Sequence, residues 1–528
     1  NGHLLATERI THSYPHDDRL KKPIIFRATV QWFASIEKIK DQLLDAVKSA
    51  NWLNQWGELR ISNMIKDRKD WCISRQRLWG VPIPIIYNED DSPIMEQEVF
   101  DHIADLFAQY GSNVWFEKEA VDLLPEGYSN PASPNNKFRK EKDIMDVWFD
   151  SGSSWSELIA RGEKYPCDLY FEGSDQYRGW FNSSLIVSVA NNGVAPYKSV
   201  LSHGYVVDEK GEKMSKSVGN TVSPLDVIDK YGADVLRLWA ATVDYTEDMR
   251  IGDALLKQTS DMYRKIRNTF RFLLGNLSDY DNKKDAVNYD DLAKIDKYFL
   301  IRLNQVIKET RENYDKYDFI AAVNTVSSFM SVDLSSYYLD YAKDILYIEE
   351  VEDKARRSVQ TVMWQCCDSL VKLLSPVLCF TSDEVWQYFS NDESNNVHYT
   401  HFPEVKEFGD QEKILSDFET LNLIRDDVLK ALEISRQNKE IGKPLEAHIL
   451  LNCDEEKKVL LKEYFNDKIH QWLQVSAFDF TNEELEKYET VQVKVEKAEG
   501  CTCPRCWNMT VSSNPDGLCE RCYKILNK

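Results

Sequence analysis

Lys213 and Lys216 stand three residues apart among small neighbours in Gly211-Glu212-Lys213-Met214-Ser215-Lys216-Ser217-Val218-Gly219-Asn220. Two cations placed this way suit a transferring phosphoryl group, whose transition-state charge needs fixed positive partners. A second constellation lies upstream. Glu172, Asp175 and Gln176 gather carboxylate and amide groups that accept hydrogen bonds from an ammonium or from ribose hydroxyls. Gly173 between them lets a ligand approach the backbone closely. Trp148 and Trp180 are flat, rigid and apolar, as the walls of a pocket for a branched aliphatic side chain should be. The third constellation is in the tail, where Cys503, Cys506, Cys519 and Cys522 follow C-x2-C-x12-C-x2-C. Each C-x2-C turn presents two thiolates to one ion, and two such turns complete a tetrahedral Zn²⁺ site. With no open position, that site is structural. A pair of disulfides is the alternative, and no secretory feature favours it.

These groups need elements to hold them. Pro82 to Tyr87, Leu169 to Phe171 and Val200 to Val207 read as strands closed by polar turns, with a helix from Gly179 to Ala190 between two of them. Strands alternating with helices predict a parallel α/β sheet, which binds ligands beyond the carboxyl ends of its strands. From about Ala233 the pattern turns helical. Leu255 to Leu277, Ile295 to Tyr317 and Val359 to Leu374 repeat apolar residues at i, i+3, i+4. A polar loop at 391–396 precedes a helix around Ile424 to Gln437, a mixed segment and the cysteine ribbon, whose Asn514-Pro515-Asp516-Gly517 is a turn.

Composition narrows the class. The 528 residues carry 65 Lys plus Arg against 87 Asp plus Glu, a net charge of −22, so nucleic-acid contact must come from a local basic footprint. Arg264, Lys265, Arg267 and Arg271, interleaved with Tyr263, Phe270 and Phe272, offer one, with an ordinary amphipathic helix as the equal alternative. A 43% hydrophobic content with 14 Trp, 26 Tyr and 22 Phe excludes a mainly disordered chain. No apolar run approaches the roughly 18 residues that span a bilayer. Six of the eleven cysteines are scattered in mostly apolar settings, as expected of a reducing, cytoplasmic compartment, and Cys501 is a spare thiol. His398-Tyr399-Thr400-His401 lacks a partnering Cys or carboxylate cluster and is not read as a metal site.

The Lys213-Met214-Ser215-Lys216-Ser217 run resembles the signature loop of class I aminoacyl-tRNA synthetases. Asp70 to Gly80, Asp146 to Gly152, Glu172 to Phe181 and Tyr263 to Thr269 are similar to successive motifs of the bacterial isoleucyl-tRNA synthetases, as is the cysteine ribbon. The resemblance runs in consistent order from about His12 to the end. It implies that Lys213 and Lys216 hold the phosphates of ATP, taken with Mg²⁺, during isoleucine activation. It implies that Glu172, Gly173, Asp175 and Gln176 bind the aminoacyl-adenylate, with His203 and Gly204 beside the adenine. Trp148 and Trp180 then line the isoleucine pocket, and the helical region with its structural zinc module meets tRNA(Ile). The implied architecture is a multidomain chain: 1–11, the end of an editing domain; 12–232, the Rossmann-like catalytic part; 233–390, a helical anticodon-binding domain; 391–499, a mixed α/β junction; and 500–528, a zinc ribbon. The expected protein is a cytoplasmic monomer without membrane contact. A sister synthetase for valine or leucine, and a non-catalytic tRNA-binding fragment, are the alternatives.

The class I pattern also requires a His-x-Gly-His, and none of the nine histidines forms it. The chain therefore reads as the C-terminal portion of a longer synthetase, with cations on one side of the phosphates alone. The 528 residues by themselves are expected to give no isoleucine-dependent ATP–pyrophosphate exchange. Robust exchange by the purified chain would overturn that reading.

Overall fold

The computed structural model describes residues 2–17, 20–215, 218–390, 396–511 and 514–527. The chain divides into two compact units, Asn1–Tyr205 and Val206–Lys528. The first is built on a three-stranded sheet of β1 (Asn51–Trp52), β2 (Cys167–Gly173) and β3 (Tyr197–His203). Its order is β1-β3-β2 and both pairings are parallel. Central β3 buries Val200, Leu201 and Ser202 in succession, as a strand covered on both faces does. The strand read from Val200 to Val207 ends at His203, and Val206–Val207 pairs elsewhere, in the second unit.

Around this sheet lie α1 (Lys40–Ser49), α2 (Gly57–Lys66), α3 (Val147–Gly152) and α4 (Trp180–Asn192). Helix α4 buries Phe181, Leu185, Ile186 and Val189 together with Ser183, Ser184 and Ser188, so it has almost no polar face. Such a helix is stable only when enclosed. Its serines satisfy themselves locally: Ser184 donates to the Trp180 carbonyl at 2.6 Å and Ser188 to the Val194 carbonyl at 2.6 Å. Gly193, at φ 74°, ends it in the left-handed conformation that favours glycine. Residues 86–141 form a satellite core around Ile86, Val99, Ile103, Trp115 and Leu123. The strand expected over 82–87 is reduced to Ile86–Tyr87, because Pro82 and Pro84 have no N–H to donate to a ladder.

The second unit opens with the parallel pair β4 (Val206–Val207) and β5 (Met249–Arg250). Helices α5 (Ala233–Thr242), α6 (Asp253–Asn276), α7 (Lys294–Asp315) and α8 (Phe319–Ser328) follow. Helix α8 runs into a π-helix, Phe329–Tyr338, and then α9 (Leu339–Ile348), α10 (Lys354–Leu374) and α11 (Cys379–Ser390). Helix α7 shows why the bundle forms: Ile295, Phe299, Leu303, Val306, Ile307 and Thr310 recur at helical spacing, and all are buried. Next come α12 (Gln411–Gln437) and a four-stranded sheet of β6 (Ala447–Asn452), β7 (Ala477–Phe480), β8 (Glu486–Lys487) and β9 (Gln492–Lys497), in the order β7-β6-β9-β8. One continuous core joins them, reaching from Leu238 through Phe299 and Phe418 to Val493.

Helix ends in this unit are held by buried carboxylates. Asp234 of α5 accepts from the Thr381 amide and hydroxyl, both at 2.6 Å, and from the Phe380 amide at 3.3 Å. Those amides are unpaired donors of the first turn of α11, and a carboxylate there also complements the helix dipole. Asp234→Ala is expected to cost about 3 kcal/mol, since it leaves buried donors unsatisfied. An unchanged urea midpoint, with unchanged hydrogen exchange at the Thr381 amide, would exclude this role.

Candidate functional site

In the first unit the β2–β3 register sets Glu172 beside Ser202 and Gly173 beside His203, at the carboxyl ends of parallel strands. Glu172, Gly173, Asp175, Gln176, His203 and Gly204 are thereby brought together. Glu172 is exposed and turns one oxygen onto the Gly173 amide at 3.0 Å. Asp175 folds over Gly173, where a Cβ would meet its Oδ1 at 2.7 Å. That glycine is therefore fixed by the carboxylate beside it as well as by any ligand. Gln176 Nε2 donates to Asp175 at 3.1 Å, and the Gln176 oxygen accepts the Trp180 amide at 2.9 Å. His203 Nδ1 lies 2.7 Å from the Gly204 carbonyl, and its ring meets Phe171 edge-on. A buried clip sets the strand ends: Ser202 gives both its amide and its hydroxyl to Asn54 Oδ1, at 2.8 and 2.9 Å.

The two tryptophans meet at the start of α4. Trp180 stacks on Tyr170 with ring centroids 3.9 Å apart, and its indole N–H donates to the Ser151 carbonyl at 3.1 Å. Trp148 is half-exposed and rests on Gly179, where a Cβ would lie 2.7 Å from the indole. Sequence reasoning passed over the residue that seats Trp148. Asp146 caps α3 by accepting the Trp148 amide at 3.3 Å, and its other oxygen takes Trp71 Nε1 at 3.0 Å and Arg75 Nη2 at 2.7 Å. An aspartate directly before a short helix was the available signal. Burial, then the nearby Asp146 charge, raises the pKa of Asp150 on the same helix.

Lys213 belongs to the second unit, and Lys216 lies outside the described residues. The loop carrying Lys213 is closed by side chains not singled out from sequence. Lys213 bridges Val207, while Asn220 donates to Asp208 at 2.9 Å and accepts the Ser215 amide at 3.0 Å. The Asn220 hydrogen bond, with amides of the turn, holds the Asp208 carboxyl below its usual range. The basic face of α6 divides. Arg267 is engaged by Glu384 through two bonds, at 2.6 and 2.8 Å, and Phe270 is core, so neither serves as a free cation or stacking ring. Arg264 pairs with Asp261, while Lys265 and Arg271 are exposed.

At the tail, β10 (Cys501–Thr502) and β11 (Met509–Thr510) form an antiparallel pair, and Cys519 caps α13 (Glu520–Leu526). The sulfurs of Cys503, Cys506, Cys519 and Cys522 all lie within 4.8 Å of one another, and none forms a disulfide. A tetrahedral Zn²⁺ with about 2.3 Å bonds needs sulfurs about 3.8 Å apart, so the donor set fits. Arg521 clamps Asp344 of α9 through bonds of 2.8 and 2.7 Å, and Arg505 donates to the Ile348 carbonyl at 2.7 Å. Ile348 packs against the buried cysteines.

The sequence model of tRNA synthetases class I (I, L, M and V) matches residues 12–252, and that of the anticodon-binding domain of tRNA ligases matches 296–451. An isoleucine–tRNA ligase of Geobacillus thermodenitrificans is 52% identical over the whole chain. Residues 12–252 belong to the class I tRNA synthetases. Another isoleucine–tRNA ligase, from Bacillus cereus strain B4264, is 50% identical over the whole chain. The chain spans 58% of the length of each of these relatives. Among solved structures, the LeuRS of Agrobacterium radiobacter K84, in complex with tRNA and LeuAMS, is 18% identical. It aligns over 81% of this chain and 51% of its own, with a TM-score of 0.49. The synthetase match takes in Glu172 to Gln176, both tryptophans and the Lys213 loop, and the anticodon-domain match covers α7 to α12.

Binding of a metal ion by four thiolates is coupled to folding, by roughly 10–16 kcal/mol in isolated fingers. Cys506→Ser is therefore expected to abolish stoichiometric zinc and to lose amide-exchange protection over 501–526, leaving α7 and α10 protected. Metal analysis that finds no zinc in the wild-type chain would remove the assignment.

Proposed function

We propose that these residues work within an isoleucine–tRNA ligase, which activates isoleucine with ATP·Mg²⁺ and transfers it to the 3′ end of tRNA(Ile). The observation that carries this reading is 52% identity across the full chain with a relative of that name. In the first step the isoleucine carboxylate attacks the α-phosphorus, the α–β phosphoanhydride bond breaks, and pyrophosphate leaves. In the second, a terminal ribose hydroxyl of the tRNA attacks the acyl carbon and AMP leaves. The residues contribute positioning and fixed charge, without a covalent enzyme intermediate.

Glu172 takes the ammonium of the amino acid, and Asp175, Gln176 and the strand end at Gly173 orient the adenylate. His203 and Gly204 flank the adenine. Trp148 and Trp180 shape the pocket for the branched side chain, and Gln176 ties that pocket to the adenylate through its bond to the Trp180 amide. Lys213 and Lys216 carry phosphate charge as pyrophosphate departs. The helical region over 233–390, the junction over 391–499 and a zinc ribbon over 500–528 form the tRNA-facing part, and 12–232 the catalytic part with 1–11 leading into it. Among the described residues no helix is long and apolar enough to cross a membrane, and the protein is read as a cytoplasmic monomer.

In a catalytically complete protein carrying these residues, Lys213→Ala should slow ATP–pyrophosphate exchange on the order of a hundredfold while leaving the isoleucine KM nearly unchanged. An unaltered rate would rule out the lysine's role. Exchange supported equally by valine or leucine would overturn the amino-acid assignment.

A further inference from the structure

The π-helix Phe329–Tyr338 is ten residues long, far beyond the single wide turn in which this geometry usually occurs, and such turns concentrate at functional sites. It faces α6 across a cavity of about 430 Å³. Lys265, Asn268, Ser331, Ser335, Ser336 and Lys343 contribute to its lining.

The hydroxyl protons of this wall are already committed. Ser331 Oγ donates to the Ser327 carbonyl at 2.8 Å, and Ser336 Oγ donates one π turn back to the Ser331 carbonyl at 2.8 Å. Thr269 Oγ1 donates to the Lys265 carbonyl at 3.0 Å. With Thr269 donating there, the 3.0 Å contact between Ser335 Oγ and Thr269 Oγ1 takes its proton from Ser335. A hydroxyl has one proton and two lone pairs, so these oxygens present acceptors to the cavity. The lysines are exposed and supply the opposite character; Lys343 is shared with Asp340 at 2.7 Å. The cavity therefore suits a ligand with a hydroxyl donor close to an anionic group. A ribose 2′-hydroxyl beside its 3′-phosphate has that chemistry, and it is the group by which a protein tells RNA from DNA.

We infer that the cavity between α6 and the π-helix is a ribose-phosphate subsite, in which the proton of a 2′-hydroxyl goes to an oxygen of the Ser331, Ser335 and Ser336 cluster and Lys265 and Lys343 meet the adjoining phosphate of a bound RNA. The inference rests on the tRNA-binding part of the proposed function and adds to it a subsite for sugar rather than base. A free sugar phosphate shares the chemistry. RNA is the occupant the surroundings favour, because exposed Arg271 on the same helix adds a cation outside the cavity for a further phosphate.

The test uses the 528-residue chain and hairpin RNAs with the anticodon-arm sequence of an isoleucine tRNA, each carrying one 2′-deoxyribose at a different position. Binding is measured at low salt. One position is expected to weaken binding about fivefold, the effect of one hydrogen bond. In Ser335→Ala that same substitution should cost nothing further, and Ser335→Thr should restore the sensitivity. Ser336→Ala serves as the second variant if Ser335→Ala lowers the thermal transition. Lys265→Ala should weaken all the hairpins alike and reduce the salt dependence by about one phosphate contact. If the RNA binds but no deoxy position distinguishes wild type from both serine variants, the subsite is wrong and the tRNA reading stands. Failure of every hairpin to bind would overturn both. Competition by millimolar ribose 3-phosphate that is lost in Ser335→Ala would assign the cavity to a free sugar phosphate and overturn the RNA assignment.

Discussion

Helix α4 cannot exist in water, and the first unit is arranged around enclosing it. Its apolar residues and serines face inward on nearly every side, so neighbours must come close enough to touch its backbone. Gly152 at the end of α3 makes this possible, since a Cβ there would lie 2.9 Å from the Ser183 carbonyl. Gly179 repeats the arrangement one turn before, beneath Trp148. Burial and site geometry are here one constraint. The packing that covers α4 also fixes two indoles and an amide at its start, with β2 and β3 delivering carboxylates and an imidazole alongside.

The second unit meets a different demand. Its long helices carry ordinary amphipathic stripes, and their unpaired ends are tied by buried acids such as Asp234. Asp427 of α12 does similar work for the β8–β9 turn, accepting from the amides of Glu489, Thr490 and Val491. These acids join segments far apart in sequence, which is how one core reaches from Leu238 to Val493.

Legibility followed from the range of the interactions involved. The helices at 253–276, 294–315 and 354–374 were readable within a few residues, because a 3.6-residue apolar repeat is local. The C-x2-C spacing was equally plain, and its four sulfurs converge. Strand extents were poorer: prolines trimmed the one expected at 82–87, and the run from Val200 to Val207 is shared between two units. Asp146 and Arg521 were given no role because the side chains they hold, Trp71 and Arg75 for one and Asp344 for the other, lie far along the chain, while the Asn220 contacts close its own loop without a mark in the spacing. The basic pattern of α6 misled at Arg267 and Phe270, since periodicity cannot tell a cation held by Glu384 or a ring in the core from one offered to a ligand. The π-helix left no local mark at all.

The Asn54–Ser202 clip joins residues 148 positions apart, as does the β1–β3 pairing beside it. Closing a flexible loop of that length costs about 4 kcal/mol in chain entropy, more than a two-residue strand and two hydrogen bonds return. The closure becomes favourable only after the intervening chain has shortened the effective loop by folding the 86–141 core and seating α3. Until then α4, the most apolar helix of the unit, has β2, β3 and α3 against it and lacks the rest of its cover, Leu43 and Val47 of α1. The long closure thus belongs to β1 alone: β2, α4 and β3 follow one another in the chain and pair across a short crossover, so the topology favours β1 joining last.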